Sequence, residues 1–384
     1  MTETQQKKPV LRFPEFLEKW ASRKVENIAP LQRGFDLPTT QIKDGKYPVV
    51  YSNGILRHHN EFKIEGPGVI TGRSGTIGEV TFVDESFWPH NTTLWVTDFF
   101  GNDPKYIYYF YNQIRFERYN SGSTVPTLNR NDVHRSKAFI SQSLEEQQKI
   151  AAFLSSVDTK IEQLSKKKSL LEQYKKGMMQ KLFSQEIRFK DEQGKDYPDW
   201  EEKKLGCVGQ ITGGGTPDTN KQNLWNGDIL WFTPTEIKFK YSGNSIRKIS
   251  KEGLAKSSAT LLPVGTILFT SRATIGEVSI ARKECTTNQG FQSFIVNDLL
   301  FSNEYIYYWI IKNKKQFLRR ANGSTFLEIS KGEMKKISFS APDIKEQQKI
   351  ASFLSMIDKK IELVTEQIKQ AQIFKKGLFQ QMFV

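Results

Sequence analysis

Cysteine is nearly absent from this 384-residue chain: Cys207 and Cys285 are the only two. Two thiols build no disulfide framework and are not spaced as zinc ligands, so a reducing cytoplasm suits the chain. No run of about 18 apolar residues occurs, so nothing reads as a membrane span. The opening Met1–Lys8 has no apolar stretch behind its charges and does not read as a secretory signal. Catalytic signatures are missing too. Gly213-Gly-Gly-Thr-Pro217 lacks the Gly-Lys-Ser/Thr ending of a phosphate loop. Pro198-Asp-Trp-Glu-Glu-Lys203 leaves no room for the hairpin that a metal-dependent nuclease needs between its Pro-Asp and its Glu-x-Lys. There is no helicase motif and no Asn-Pro-Pro-Tyr-like run of an amino-methyltransferase. The four histidines (His58, His59, His90 and His134) all lie in the first part of the chain with no mates later. The expectation is no catalytic site, no metal and no cofactor in this chain.

What the chain does have is positive charge. Lys and Arg number 56 against 42 Asp and Glu, a formal +14. A surplus of that size speaks of partners, and nucleic acid is the commonest partner of a strongly basic protein. Anionic membrane is the other candidate, but nothing in the sequence is built to span a bilayer. A hydrophobic share of 38% with 12% aromatics supplies real cores, and the length fits two or three domains.

The chain is written twice. Glu146-Gln-Gln-Lys-Ile-Ala-Ala-Phe-Leu-Ser155 returns 200 residues later as Glu346-Gln-Gln-Lys-Ile-Ala-Ser-Phe-Leu-Ser355. Asp158-Thr-Lys-Ile-Glu162 and Tyr174-Lys-Lys-Gly-Met-Met-Gln-Lys-Leu-Phe183 return at the same offset. Between these copies the correspondence is looser. Tyr106-Ile-Tyr-Tyr-Phe110 resembles Tyr305-Ile-Tyr-Tyr-Trp309. Arg73-Ser-Gly-Thr-Ile-Gly-Glu-Val80 resembles Arg272-Ala-Thr-Ile-Gly-Glu-Val278 with one residue deleted. The entrances also pair, Phe13-Pro-Glu-Phe16 with Trp20 against Tyr197-Pro-Asp-Trp200.

The repeated segments are helices. Ile150, Leu154, Val157, Ile161, Leu164, Leu171, Met178 and Leu182 step by fours and threes (or whole heptads), the spacing of a coiled-coil seam. Ile350, Leu354, Ile357, Ile361 and Val364 begin the second seam. Lys168, Lys175 and Lys375 interrupt the pattern. Each helix exposes a stripe that needs a partner, and antiparallel pairing of the two copies satisfies both; packing of each helix on its own module is the alternative. The architecture reads as residues 1–143 and 185–342, two variable α+β modules, alternating with helices 144–184 and 343–384. Antiparallel pairing would place the modules at opposite ends of a rod, related by a pseudo-two-fold axis.

In the modules, Tyr47–Tyr51, Val80–Val83 and Thr93–Val96 read as strands, as do Ile229–Phe232, Thr266–Thr270 and Phe291–Val296. Pro104–Arg118 and Asn303–Arg320 read as helices with their aromatics on the core side. Strands cluster before the helix, so the class is α+β rather than βαβ winding. Candidate DNA-reading positions are loop side chains able to address phosphates and base edges. In the first module these are Arg33, Ser52, Asn53, Arg73, Ser74, Thr76, Asn91, Ser123 and Thr124. In the second they are Thr216, Arg272, Thr274, Asn288, Gln289, Ser324 and Thr325. Each also fits a plain turn role. The basic run Lys312–Arg320 serves as readily for a solvated helix face as for a phosphate-facing stripe.

Two divergent modules alternating with near-identical Glu-Gln-Gln-Lys-Ile-Ala helices resemble the specificity subunits of type I restriction-modification systems. The resemblance covers essentially the whole chain. Its strongest carriers are Glu146–Glu162 and Glu346–Glu362, followed by the module entrances, the Gly213–Pro217 opening and the Gly72-Arg-Ser-Gly75 turn. It implies two target recognition domains, each reading half of a split, asymmetric site in double-stranded DNA. The paired helices then act as a ruler and as the docking surface for two methyltransferase subunits. Those partners would bring S-adenosylmethionine, and motor-nuclease subunits ATP with Mg. The first module departs from the second at its opening loop, Gln32-Arg-Gly-Phe-Asp-Leu-Pro38 in place of the glycine triplet. A free-standing DNA-binding regulator that dimerises through its helices is the rival reading; an enzyme acting directly on DNA lacks a catalytic constellation.

Overall fold

The repeated Glu-Gln-Gln motif opens two long helices, Leu144–Phe183 and Ile344–Met382. The structure, a computed structural model, describes residues 8–122, 124–323 and 327–384. One unit contains the chain up to Lys167 together with Val364–Val384; the other contains Lys168–Leu363. Each unit therefore takes the first part of one long helix and the last part of the other.

In the first unit, Ala21–Lys24 pairs antiparallel with Lys137–Ile140, beside an antiparallel four-stranded sheet of order Leu31–Arg33, Thr93–Val96, Gly68–Gly72, Val80–Val83. A smaller sheet sets Tyr47–Tyr51 between antiparallel Gly54–His59 and parallel Trp88–Pro89. The second unit repeats this plan. Glu201–Lys204 pairs with Ser338–Ala341, a five-stranded sheet follows, and Trp225–Phe232 lies between antiparallel Arg247–Ile249 and parallel Cys285–Thr287. The aromatic helices are Pro104–Gln113, capped by Asp103, and Asn303–Lys312, capped by Ser302. Both are shorter than the sequence reading. A separate short helix, Phe116–Tyr119 or Lys314–Arg319, completes each segment.

The repeat has a physical cause. Glu146 is fully buried and receives Arg12 Nε at 2.5 Å, Arg12 Nη2 at 2.9 Å and Trp20 Nε1 at 3.1 Å. Glu346, equally buried, receives Arg188 at 3.2 and 2.8 Å and Trp200 at 3.2 Å. A buried carboxylate needs such charge-assisted donors, because desolvation alone would disfavour the ion. The adjacent glutamines join each long helix to its aromatic helix. Gln147 accepts from the Asp103 N–H at 2.8 Å, and Gln347 from the Ser302 N–H at 3.0 Å. The entrances thus match differently from the sequence alignment. Arg12-Phe13 is equivalent to Arg188-Phe189, with Phe13 on Phe153 at 6.0 Å and Phe189 on Phe353 at 5.7 Å. The backbone agrees: Leu11 N–H reaches Gln381 O as Ile187 N–H reaches Lys181 O. The longer link from Phe189 to Trp200 hid this equivalence.

The helices pair antiparallel within each unit. In the first, Ile150 and Leu154 share one core with Leu378, Met382 and Phe383, alongside Trp20 and the aromatic helix, and Val157 packs against it. In the second, Ile350, Leu354 and Ile357 share a core with Met179 and Leu182, and Ile361 packs at its edge. Leu164 and Val364 are buried, Ile161 half-buried. The same seam side chains serve both the partner helix and the module, so the two readings of the stripe are both realised. Two of the three seam lysines meet carboxylates of the repeated motif, Lys375 pairing with Asp158 and Lys175 with Asp358, each at 2.5 Å, while Lys168 lies 3.8 Å from Glu172 one turn on in its own helix. Tyr109 and Tyr308 donate to the same aspartates at 2.8 and 2.5 Å.

Removing one partner of a buried ion pair strands the other. Arg12→Ala is expected to lower the unfolding free energy by about 3 kcal/mol, read by urea denaturation, whereas Arg23→Ala on an edge strand leaves the midpoint unchanged. A second expectation concerns acid. His134 Nε2 accepts the Leu31 N–H at 2.8 Å, so the ring must be neutral. Burial, and then the charge of Arg130, lower its pKa from the ordinary 6.5. The unfolded chain therefore takes up this proton first. This contribution to stability is present above pH 6.5 and fades as pH falls through the lowered value. Melting curves from pH 8 to pH 5 should show a decline that His134→Gln flattens.

Candidate nucleic-acid interface

In each module loops converge on one edge of the sheets, and backbone hydrogen bonds join the opening loop, the glycine-threonine turn and the closing loop to it. The opening loop is first. Phe35 N–H donates to Pro89 O at 2.8 Å, and Gly215 N–H to Thr287 O at 2.9 Å. Gly34 and Gly214 precede these residues, and a Cβ on either would lie 2.3 or 2.2 Å from the carbonyl oxygen of His90 or Asn288. Only glycine allows so close an approach. The opening loops therefore share one backbone under different sequences, with Gly34 in the place of Gly214. The next step repeats as well: Asn91 donates to Asp36, and Thr216 donates to Gln289 at 2.5 Å. Asp36 also holds Arg33 at 3.5 Å.

The second loop is the glycine-threonine turn. Antiparallel register pairs Thr71 with Val80 and Phe269 with Val278, so the two turns align without a deletion. Ala273 takes the left-handed position of Gly75, with φ of 57° against 86°. The arginines are consequently one place out of step: Arg73 stands where Ser271 stands, and Ser74 where Arg272 stands. Arg73 is half-buried and its Nη1 donates to Asn91 O at 3.4 Å. Arg272 is exposed and its Nε lies 2.9 Å from Glu328. The two arginines looked equivalent in sequence because the flanking Thr-Ile-Gly-Glu-Val is shared. Thr76 and Thr274 are exposed at the turn tips.

The hairpin residue Ser52 reaches this turn, its carbonyl 2.9 Å from where a Cβ on Gly72 would stand, while Asn53 is exposed at the tip. The fourth loop closes the cluster. Leu128 N–H donates to Arg73 O at 2.8 Å, and Ile329 N–H to Ser271 O at 3.1 Å. Thr124 is exposed in that loop. Ser123, Ser324 and Thr325 lie outside the described residues. Asn288 uses its side chain on the Gly290 N–H at 2.8 Å, whereas Gln289 beside it is exposed. Beneath the loops the chemistry is quiet. Burial lowers the pKa of His90, with Asp36 opposing, and pushes the Cys285 thiol up to about 12.

Several participants escaped the sequence reading. Asp36 and Glu328 pair with the candidate arginines Arg33 and Arg272, and an acidic residue in a basic loop carries no signal of that in sequence. Trp225 and Trp231 form a T-shaped pair 5.0 Å apart that supports the second opening loop: Trp225 Nε1 donates to Asp218 O at 3.1 Å and Trp231 Nε1 to Gly215 O at 2.8 Å. Gly34, set between Arg33 and Phe35, was the one legible sign that both opening loops share a backbone. Chemically, the edge offers exposed amides, hydroxyls and guanidinium groups on a rigid frame. Groups of these kinds are able to donate to phosphates and base edges. Gly34→Ala and Gly214→Ala should each cost about 1–3 kcal/mol by overpacking against a backbone carbonyl; an unchanged denaturation midpoint would remove the shared-backbone argument.

A family model of the type I restriction modification DNA specificity domain matches residues 17–173 and again 197–372. The type I restriction enzyme MjaIX specificity subunit of Methanocaldococcus jannaschii is 38% identical over 211 residues, covering 53% of this chain and 48% of that protein. The EcoR124I/EcoR124II specificity subunit of Escherichia coli is 29% identical over 171 residues, 43% of this chain and 42% of its own length. The chain spans about half the length of the curated relatives it matches. In fold it is similar to the crystal structure of a type I restriction-modification system S subunit from M. genitalium, with a TM-score of 0.66 and 18% identity over 98% of this chain and 99% of that one.

Proposed function

The chain belongs to the type I restriction-modification DNA specificity family, and from that membership we propose that it is the non-catalytic reader of double-stranded DNA in such a complex. Each module addresses one half of a bipartite, asymmetric site. The observation that carries this reading is the duplicated loop edge: one backbone frame, held by Gly34 and Gly214, presents different exposed side chains in the two modules. A frame kept while its surface changes is what two readers of unlike targets require. The loop positions named above are the proposed DNA contacts, with Arg33, Arg73 and Arg272 as donors to phosphate or base edges. Arg33 and Arg272 reach DNA by exchanging their carboxylate partners for it, since exposed ion pairs of this kind hold weakly.

The rest of the assembly follows from the family. Two methyltransferase subunits dock on the paired helices and bring S-adenosylmethionine; motor-nuclease subunits bring ATP and Mg. The complex works in the cytoplasm, where the DNA is. No helix among the described residues is long and apolar enough to cross a membrane, in keeping with that placement.

The test is co-expression with the methyltransferase encoded beside this chain, in a host without DNA methylation, followed by sequencing that reports modified adenine. Methylation confined to one split motif, and lost when this chain is omitted, is the expected result. Exchange of residues 185–342 for those of a relative should then change one half of the motif and leave the other. A soluble complex that marks no motif would overturn the reading in favour of a free-standing regulator.

A further inference from the structure

The small sheets of the two modules can be superimposed residue by residue from their hydrogen bonds alone. Tyr47–Tyr51 runs parallel to Trp88–Pro89 with Val50 beside Pro89, and Trp225–Phe232 runs parallel to Cys285–Thr287 with Phe232 beside Thr287. The next N–H, of His90 or Asn288, donates to Val50 O or Phe232 O at 2.9 and 3.0 Å. Val49 is therefore equivalent to Trp231. Across the antiparallel neighbour, Val49 faces Arg57 and Trp231 faces Arg247. The next inward positions agree, since His59 and Ile249 are both buried. Two modules that differ in almost every exposed side chain thus carry an exposed arginine at the same register position.

The arginines also share a setting. Directly paired residues of an antiparallel ladder lie on the same face of the sheet. Val49 packs there with Phe35, Leu37 and Trp88, and Trp231 bonds Gly215 there, so that face is the one covered by the opening loop in both modules. Arg247 lies flat on Trp225, with its guanidinium carbon 3.5 Å from the ring centroid and 5.5 Å from that of Trp231. Stacking holds the group in place and leaves its N–H edges open. Among the described residues no carboxylate pairs with Arg57 or Arg247, in contrast to Arg33 and Arg272. A feature common to readers of unlike sequences addresses what all DNA shares, which is the phosphate backbone.

We propose that Arg57 and Arg247 are equivalent phosphate contacts, one per module, that position each recognition domain on DNA without reading its bases. This rests on the DNA-reading function above. The test uses the complex with its methyltransferase, the duplex bearing the methylated motif and a scrambled duplex, with binding measured by fluorescence anisotropy across a salt series. Arg57→Ala and Arg247→Ala should each weaken binding about tenfold on both duplexes and make the log–log salt slope shallower by about 0.9. Arg247→Lys keeps the charge and should keep the slope. The methylated motif should stay the same in every variant. Unchanged affinity and slope in a folded Arg57→Ala complex, or relaxed discrimination at one base position, would overturn the proposal. Among the described residues Arg57 has no partner to lose, so that variant carries the test if Arg247→Ala melts early. If the wild-type complex marks no motif, the DNA reading falls and takes this proposal with it; if it does and the variants bind as wild type, only the proposal falls.

Discussion

Everything in each unit hangs on one buried carboxylate. Glu146 and Glu346 sit at the start of the long helices with no solvent contact, and each is satisfied by an arginine and a tryptophan from the module entrance. An unpaired carboxylate there would cost several kcal/mol, so helix, entrance strand and aromatic helix are obliged to meet in one arrangement. The neighbouring glutamine extends the constraint by binding the cap residue of the aromatic helix. The Glu-Gln-Gln motif is thus an assembly device for the scaffold, its hydrogen bonds going to the module entrance and the aromatic helix.

That division of labour explains why the repeat is strict in some places and absent in others. The glutamate and glutamine that join helix to module are identical across the two copies, as are Asp158 and Asp358 with their lysine and tyrosine partners. The seam lysines are part of the same logic. A lysine in an apolar stripe is costly until a carboxylate meets it, and here the motif of the opposing helix provides one within each unit. Half-buried Lys240 shows how one copy can elaborate the junction: it donates to Glu304 at 3.1 Å, to Tyr308 at 3.0 Å and to Ser355 at 2.6 Å. Burial lowers the pKa of that amine, while Glu304 opposes the effect. Lys105 stands at the position of Glu304 in the other aromatic helix, so this network is not duplicated.

At the interface the balance reverses, because the backbone is kept and the side chains vary. Gly34 and Gly214 need no shared neighbours to enforce one path; each is fixed by a carbonyl that excludes a Cβ. Arg33 and Arg272 stay exposed beside their acidic partners, Asp36 at 3.5 Å and Glu328 at 2.9 Å.

By itself the sequence determined the two-fold repetition, the long helices with their seam, the α+β class and the family, because these depend on periodicity and on exact recurrence at an offset of 200. Six strands were legible too, their apolar residues being bounded by turn residues, whereas short or charged strands such as Ala21–Lys24 and Glu201–Lys204 carried no such signal. Tertiary structure alone decided which residues of the two copies correspond. Arg12-Phe13 answers to Arg188-Phe189 across links of different length, and Arg73 is out of step with Arg272 although their neighbours are alike. Tertiary structure also decided which arginines are paired and which are open. Alignment by similarity follows side-chain identity along the chain, whereas equivalence in a fold is set by hydrogen-bond register and burial between segments far apart in it.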